Sequence, residues 1–137
     1  KKEYVALCVG KMHAKSGVIK ENLVQHGQEK SAITNYTVEK QWKKSYLVDD
    51  VQKEIDFSQI RLVLETGRMH QIRIHLAKQN CPIAGDDQHG NFKINKLLKK
   101  HFKIKRFLLA SVRLTIPINE KDMVFEIENP FLEYDIN

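Results

Sequence analysis

The chain contains little cysteine, and this scarcity argues against two classes of small protein. Its two cysteines, Cys8 and Cys81, match no C-x-x-C spacing, so neither a disulfide framework nor a cysteine-based zinc site is indicated. No apolar run approaches the ~20 residues that a membrane helix needs, and no segment has the charged start and apolar middle of a signal peptide. These absences favour a protein of the reducing cytoplasm with no membrane segment.

Composition predicts one basic globular unit. Apolar residues make up 42% of the 137 residues, which is enough to bury a single core. The formal net charge of +6 favours an anionic partner such as nucleic acid, although many basic domains have no such partner. The chain opens in strand-like sequence, KKEYVALCVG, without an initiator methionine, so a fragment is expected.

Apolar spacing indicates a sheet in the first half and two helices in the second. Residues 4–9 are apolar on both faces, which suits a buried strand, and further strand candidates are residues 18–24, 32–42, 43–48, 59–65, 107–118 and 123–129. Residues 68–79 and 91–102 have the three-and-four spacing of helices. The predicted fold class is therefore α+β, with a mixed, mainly antiparallel sheet and two helices.

The first predicted helix separates apolar and polar side chains. Met69, Ile72 and Leu76 form its apolar stripe, and four polar residues fall on the opposite side, namely Arg68, Gln71, His75 and Lys78. A cation in the first turn, as expected for Arg68, opposes the helix dipole unless a phosphate binds there. His70 and His75 are five residues apart, which does not suit a helical metal pair. No metal site is expected.

Arg73 is placed at the edge of the buried face, where a permanent charge needs a carboxylate or phosphate partner. No acid lies three or four residues away, and none occurs between Glu65 and Asp86. The partner is therefore expected from elsewhere in the fold, from a missing segment or from a ligand. Ordinary surface or ion-paired arginines are the alternative. Asp86 and Asp87, flanked by glycines, are more typical of a turn.

A second basic segment follows, because residues 93–106 contain seven lysines and arginines and no acid. Such a run is usually a solvated face, but beside the cationic helix it favours a track for RNA phosphates. The candidate RNA contacts are Arg68, His70, Gln71, Lys78, Lys96, Lys99, Lys100, Lys103 and Arg106.

Several segments resemble motifs of the RluA-type ribosomal RNA pseudouridine synthases. LETGRMHQIRIHLAKQNCPIAGDDQHG is similar to the family's TGR-x-HQIR-x-H and P-I-x-GD segments, KKEYVALCVG to its K-x-Y-x-A-x-V-x-G motif, and AITNYTV to the A-x-T-x-Y strand between them. The double aspartate, the Asn-Lys-Leu helix and KRFLLAS are most similar to the RluC-type branch. The resemblance spans essentially the whole chain.

This resemblance implies the catalytic fold of that family and an isomerase that converts uridine to pseudouridine in large-subunit ribosomal RNA without metal or cofactor. Tyr4 matches the active-site tyrosine, which packs on the uracil and is assigned proton abstraction, and Arg73 matches the arginine that pairs with the catalytic aspartate. Nothing in the chain matches the H-R-L-D-x-x-T-S-G motif that carries this aspartate. Residues 1–137 are thus expected to be the C-terminal portion of a catalytic domain, inactive alone.

Some features depart from the resemblance or would argue against it. Cys81, His89 and Leu109 replace the family's usual histidine, tyrosine and histidine. An Arg73 free in solvent, or already neutralised by a carboxylate of this chain, would argue against the catalytic interpretation. The alternatives are a non-catalytic basic RNA-binding module, which would need neither Tyr4 nor Arg73, and a basic domain with no role in RNA. A monomer is expected.

Overall fold

The computed structural model describes residues 2–127, 130, 131 and 134. Its strands are β1 (Lys2–Val9), β2 (Ser16–Ile19), β3 (Leu23–Gln25), β4 (Gln28–Lys30), β5 (Thr34–Val48), β6 (Val51–Leu64), β7 (Leu109–Ile118) and β8 (Lys121–Glu126), and its helices are α1 (Gln71–Lys78) and α2 (Phe92–Phe102). Six strands form one sheet in the order β2-β5-β6-β1-β7-β8, whereas β3 and β4 form a separate hairpin. All these pairings are antiparallel. The predicted fold class is confirmed.

Strand β1 lies in the middle of the sheet and divides the core. Val5, Leu7 and Val9 pack into a cluster that includes the α2 side chain Leu98. Ala6 and Cys8 point the opposite way, into a cluster with α1 and with Cys81. Both cysteines are buried free thiols. The alternation of a strand thus places the two helices on opposite faces of one sheet, and the prediction that residues 4–9 are buried on both sides is confirmed.

Strand β5 is one continuous strand where the sequence predicted two. Its register against β6 shifts between Val38 and Lys40, because a β-bulge inserts one extra residue and reverses the side-chain alternation beyond it. The single strand expected at 18–24 is instead divided between β2 and β3. Strand β8 ends at Glu126, and residues 128 and 129 of the predicted last strand lie outside the described residues.

Helix α2 was predicted correctly. Asn91 is its N-cap, and the Asn91 side-chain oxygen accepts a hydrogen bond from the Ile94 N–H at 3.1 Å, which satisfies a free donor of the first turn. Leu98 is fully buried, and three further apolar side chains, Ile94, Leu97 and Phe102, pack against the same cluster. Neither of the helices in the described part of the chain is long and apolar enough to cross a membrane.

Helix α1 begins three residues later than predicted. His70 has a left-handed backbone, with φ of 55°, and Arg68 therefore precedes the helix instead of opposing its dipole. The Gln71 side-chain oxygen accepts hydrogen bonds from the Arg68 N–H at 3.0 Å and from the Thr66 hydroxyl at 2.7 Å, so it organises the entry turn. Met69 is 62% exposed, and its expected place in the apolar stripe is wrong.

Two of the four polar residues expected on the outer face of α1, Gln71 and His75, are in fact buried. The Gln71 amide donates to the Ile33 carbonyl and to the Thr34 hydroxyl. The His75 Nε2–H faces the carbonyl of Glu21 at 2.8 Å, which can only accept, so His75 Nδ1 accepts from the Thr34 hydroxyl at 2.8 Å. The outward orientation predicted for Gln71 and His75 is therefore wrong, because α1 also packs against the chain before β3 and the start of β5.

Gly85 is required where the loop before α2 meets the segment before β7. Its φ is +86°, and a Cβ atom there would overlap the carbonyl oxygen of Arg106. We expect Gly85→Ala to lower the free energy of unfolding by about 2 to 4 kcal/mol, from backbone strain and overpacking together. Urea denaturation followed by the fluorescence of Trp42 measures this.

Gly67→Ala is the matched control, because nothing lies within 4 Å of its Cβ position. We expect this substitution to change the free energy of unfolding by no more than about 0.5 kcal/mol. Equal effects of the two substitutions would show that the close approach at Gly85 does not constrain the fold.

Candidate active site

A cleft of about 340 Å³ lies where β1 begins, β6 ends and α1 starts. Its polar lining includes Tyr4, Arg68, His70 and Arg73, and its apolar lining includes Leu64, Ile72, Phe107 and Leu109. Tyr4 reaches this cleft because it lies on the face of β1 that α1 covers. The structure thus brings together both predicted catalytic residues, 69 positions apart, in a space of the size that small-molecule sites have. Their catalytic roles stay predictions.

Arg73 is neutralised by a carboxylate of this chain. Its Nε and Nη2 atoms donate to the two oxygens of Asp86 at 2.9 and 2.8 Å, and the Phe107 ring lies 4.3 Å from the guanidinium carbon. The Arg73 and Asp86 side chains are 12% and 1% exposed. Of the three sources that the sequence left open for this partner, the structure shows the first, another part of the fold, because the loop after α1 returns an acid that helical spacing could not reveal. This pairing is the outcome that was expected to argue against the catalytic interpretation. The charge of Arg73 therefore no longer supports catalysis, and only its place in the cleft with Tyr4 does.

The environment of Asp86 keeps this pair ionised. Burial by itself raises the pKa of Asp86, but hydrogen bonds from Arg73 and from the backbone N–H of His89, together with nearby positive charge, outweigh burial and lower the pKa below its ordinary value. The same contact raises the pKa of Arg73. Asp86 also accepts the backbone N–H of Gln88 at 3.2 Å, so it shapes the predicted turn as well as pairing with Arg73.

Two histidines meet at the rim of the cleft. His70 Nδ1 lies 3.0 Å from His89 Nε2, and the rings are nearly perpendicular. Burial is the main cause that lowers the pKa of His89, with Arg73 and His70 adding to it against the raising effect of Asp86. One neutral ring can donate to the other, so His89 holds the side chain of His70 at the rim. This contact was not predicted from the sequence.

The hairpin formed by β3 and β4 is tied to the same rim. The Gln25 side-chain amide donates to the Met69 carbonyl at 2.7 Å and accepts from the Met69 N–H at 3.4 Å. Arg68 Nε donates to the Ser31 carbonyl at 2.8 Å. Lys78 lies away from the cleft lining, at 3.5 Å from the carboxylate of Glu21. The hairpin contacts were not predicted, because hydrogen bonds between residues far apart in the sequence produce no periodic pattern in it.

The predicted RNA contacts are divided among different places. Arg68, His70 and Gln71 line the cleft, but Gln71 is 2% exposed and its amide donates to groups inside the protein. Gln71 is thus better described as a structural residue than as an RNA contact. Lys96 and Lys99 line a separate cavity, Lys100 and Lys103 are exposed, and Arg106 lies over the ring of Tyr134. RNA contact by these cations stays a prediction.

The ion pair predicts a large stability loss when its cation is removed. Arg73→Met leaves a buried carboxylate without its partner, and we expect the free energy of unfolding at neutral pH to fall by about 3 kcal/mol or more. Lys78→Met removes a cation from the same helix that pairs only in solvent, with an expected loss of less than about 1 kcal/mol. Urea denaturation of the two variants measures both losses.

The pH dependence gives a second readout of the same pair. Because the pKa of Asp86 is lowered in the folded state, its contribution is present above the ordinary value of 3.8 and is lost as the pH falls below it. The stability difference between the unchanged protein and Arg73→Met should therefore shrink in acid. A difference that stays constant with pH would contradict an ionic origin.

Comparison with known proteins identifies the family. A family model described as RNA pseudouridylate synthase matches residues 1–78. The chain is 32% identical over 149 residues to "Ribosomal large subunit pseudouridine synthase D" of Blochmanniella floridana, covering 94% of this chain and 43% of that protein. It is 39% identical over 66 residues to "tRNA pseudouridine synthase C" of Vibrio vulnificus, covering 47% and 27%. The chain thus spans less than half the length of both relatives.

Solved structures show the same fold. "Human RNA Pseudouridylate Synthase Domain Containing 1" superimposes with a TM-score of 0.72 at 22% identity, over 96% of this chain and 55% of that chain. "Human RNA Pseudouridylate Synthase Domain Containing 4" gives a TM-score of 0.67 at 20% identity. The predicted family is confirmed, whereas the narrower RluC-type branch stays a prediction. The chain belongs to the RNA pseudouridylate synthase family.

Proposed function

We propose that the protein containing this chain isomerises uridine to pseudouridine in large-subunit ribosomal RNA, acting as a cytoplasmic monomer without metal or cofactor. The observation that carries the proposal is the joint presence of Tyr4 and Arg73 in one cleft of a chain that belongs to this family. Ribosomal RNA is the favoured substrate because the relative named for it matches 94% of the chain. Transfer RNA is the second candidate, supported by matches over less than half of the chain.

The reaction conserves every atom, so it needs no redox partner. The bond between C1′ of the ribose and N1 of uracil breaks, a bond between C1′ and C5 forms, the C5 proton leaves and N1 gains a proton. The uridine must first leave its stack, because the reacting atoms are not accessible inside folded RNA. In this proposal the Tyr4 ring stacks on the extruded uracil, and its phenol oxygen accepts the C5 proton.

Arg73 is proposed to orient a reacting carboxylate while Asp86 orients Arg73. Asp86 accepts one hydrogen bond from Nε and one from Nη2 of the guanidinium, which leaves both N–H groups of Nη1 and one of Nη2 for a second acid or a phosphate. Asp86 itself is 1% exposed and cannot reach a uridine in the cleft. We therefore assign Asp86 a positioning role and keep the nucleophilic role for the aspartate that the family motif supplies.

The cations around the cleft are proposed to hold the RNA. Arg68 and His70 line the rim, and their contacts with flanking phosphates would fix the position of the strand without reading its bases. Exposed lysines of α2 would add salt-dependent, sequence-independent affinity. A non-catalytic RNA-binding module, the alternative function, would use these cations alone and would need neither Tyr4 nor Arg73 in the cleft.

Tyr4→Phe tests the catalytic role more cleanly than a change at Arg73, which also holds Asp86. Phenylalanine keeps the stacking ring and removes the hydroxyl, so we expect pseudouridine formation to slow by roughly 100-fold or more with RNA affinity nearly unchanged. The protein in its cellular form is incubated with large-subunit ribosomal RNA or transfer RNA, and pseudouridine is mapped by carbodiimide modification. Binding of the same RNA is measured by fluorescence anisotropy.

Tyr46→Phe is the matched control, because Tyr46 lies on β5 and its ring contacts His101 and Phe102 of α2, away from the cluster on which Tyr4 packs. We expect it to leave the rate of modification unchanged. Full activity of the Tyr4→Phe protein would remove Tyr4 from the mechanism. Modification of transfer RNA alone would transfer the proposal to the second substrate.

A further inference from the structure

A second cavity of about 220 Å³ lies on the other side of the Asp86 loop. We call it the α2 pocket; its lining includes Asp87, Phe92, Asn95, Lys96, Lys99 and Lys105. Two short segments, residues 85–87 and 105–107, direct some residues to this pocket and others to Arg73 at the cleft. Gly85 and Asp87 line the pocket while Asp86 points to Arg73, and Lys105 lines the pocket while Phe107 stacks on Arg73. One layer of backbone therefore separates the two spaces.

The wall of the α2 pocket is fixed by hydrogen bonds before any ligand binds. Asn95 is buried, its side-chain oxygen accepts the Gly85 N–H at 3.0 Å, and its side-chain nitrogen donates to Asp87 at 2.9 Å. Gly85 lies against the Arg106 carbonyl. A pocket whose wall is already held in place loses less conformational entropy when a ligand binds.

The charge of the pocket favours an anion. The lining includes three lysines, Lys96, Lys99 and Lys105, and one acid, Asp87, whose carboxylate accepts a hydrogen bond from Asn95. The Lys96 ammonium lies 4.8 Å from the centre of the Phe92 ring. Phe92 is 56% exposed and offers an aromatic surface beside the cations. Clustered lysines next to an exposed aromatic ring suit the phosphate and base of a single-stranded nucleotide.

We propose that the α2 pocket binds a backbone phosphate of the same RNA strand whose uridine occupies the cleft, with the adjoining base against Phe92. The proposal rests on the proposed function and adds a defined subsite to it. RNA is favoured over a free anion because an exposed aromatic ring adjoins the lysines, and a base can pack on this ring whereas a free phosphate cannot. In this arrangement the lysines of α2 are not equivalent, since only those of the pocket contact a fixed phosphate.

The test compares neighbouring lysines of one helix. Lys99→Ala removes a pocket cation, whereas Lys100→Ala removes an equal charge outside the pocket lining. The probe is a fluorescein-labelled oligouridylate of about 12 nucleotides, within the site sizes of single-strand binders, added to the chain at several salt concentrations. We expect Lys99→Ala to weaken binding roughly 10-fold and to reduce the salt slope by about 1. We expect Lys100→Ala to weaken binding less than about 2-fold.

Removal of the negative charge from the pocket is expected to change RNA affinity in the direction opposite to that of Lys99→Ala. Asp87→Asn keeps an oxygen that can accept from Asn95 and removes the one carboxylate of the lining, so binding of the same RNA should tighten. Thermal unfolding checks that all three variants are folded. An unchanged or weaker affinity of Asp87→Asn would contradict an anion in the pocket.

The outcomes separate this proposal from the proposed function. Equal effects of Lys99→Ala and Lys100→Ala, with pseudouridine formation intact, would overturn the pocket and leave the enzyme assignment standing. If the unsubstituted protein neither binds RNA nor forms pseudouridine, both proposals are overturned. If inorganic phosphate at the same concentration as the labelled RNA displaces that RNA, the pocket binds a free anion, and the proposed RNA subsite is overturned.

Discussion

The ion pair of Arg73 and Asp86 is the contact on which the cleft depends. It ties helix α1 to the loop before α2, and the same carboxylate accepts the backbone N–H groups of the following turn. Both side chains are largely removed from solvent, so neither can lose its partner without leaving an isolated charge in the protein. The pair thereby fixes the wall between the cleft and the α2 pocket, and the two proposed RNA subsites share this wall.

The central strand provides the second constraint. The pleat of β1 directs alternate side chains to α1 and to α2, and Tyr4 lies on the α1 face together with the start of that helix. A shift of β1 by one residue would turn Tyr4 to the other face of the sheet and exchange the core residues. The position of the proposed catalytic tyrosine is therefore set by the same packing that makes the core.

The elements that were predicted well from the sequence are those with regularly spaced apolar residues. Helix α2 and strand β1 have clear apolar patterns, and their limits were placed within about two residues, which is the usual uncertainty of such boundaries. The start of α1 was misplaced because Gln71 organises a turn through its side chain, and a single polar residue gives no periodic signal. The partner of Arg73 was missed for a related reason, since Asp86 is brought near by a loop. The motif resemblance carried the family assignment where local patterns could not.

The reactivity of the two buried cysteines can be used to measure local opening of the core. Cys8 on β1 and Cys81 after α1 are completely buried, and burial is the main cause that raises the pKa of the Cys8 thiol well above its ordinary value. A thiol reacts with alkylating agents as the thiolate, so both lack of access and suppressed ionisation protect Cys8. The pKa of Cys81 is lowered, mainly by its hydrogen bond with Cys8, so Cys81 is protected by its burial alone. The rate of thiol alkylation would thus measure how often the α1 face of β1 opens locally. Tyr4, the proposed catalytic tyrosine, packs on this face.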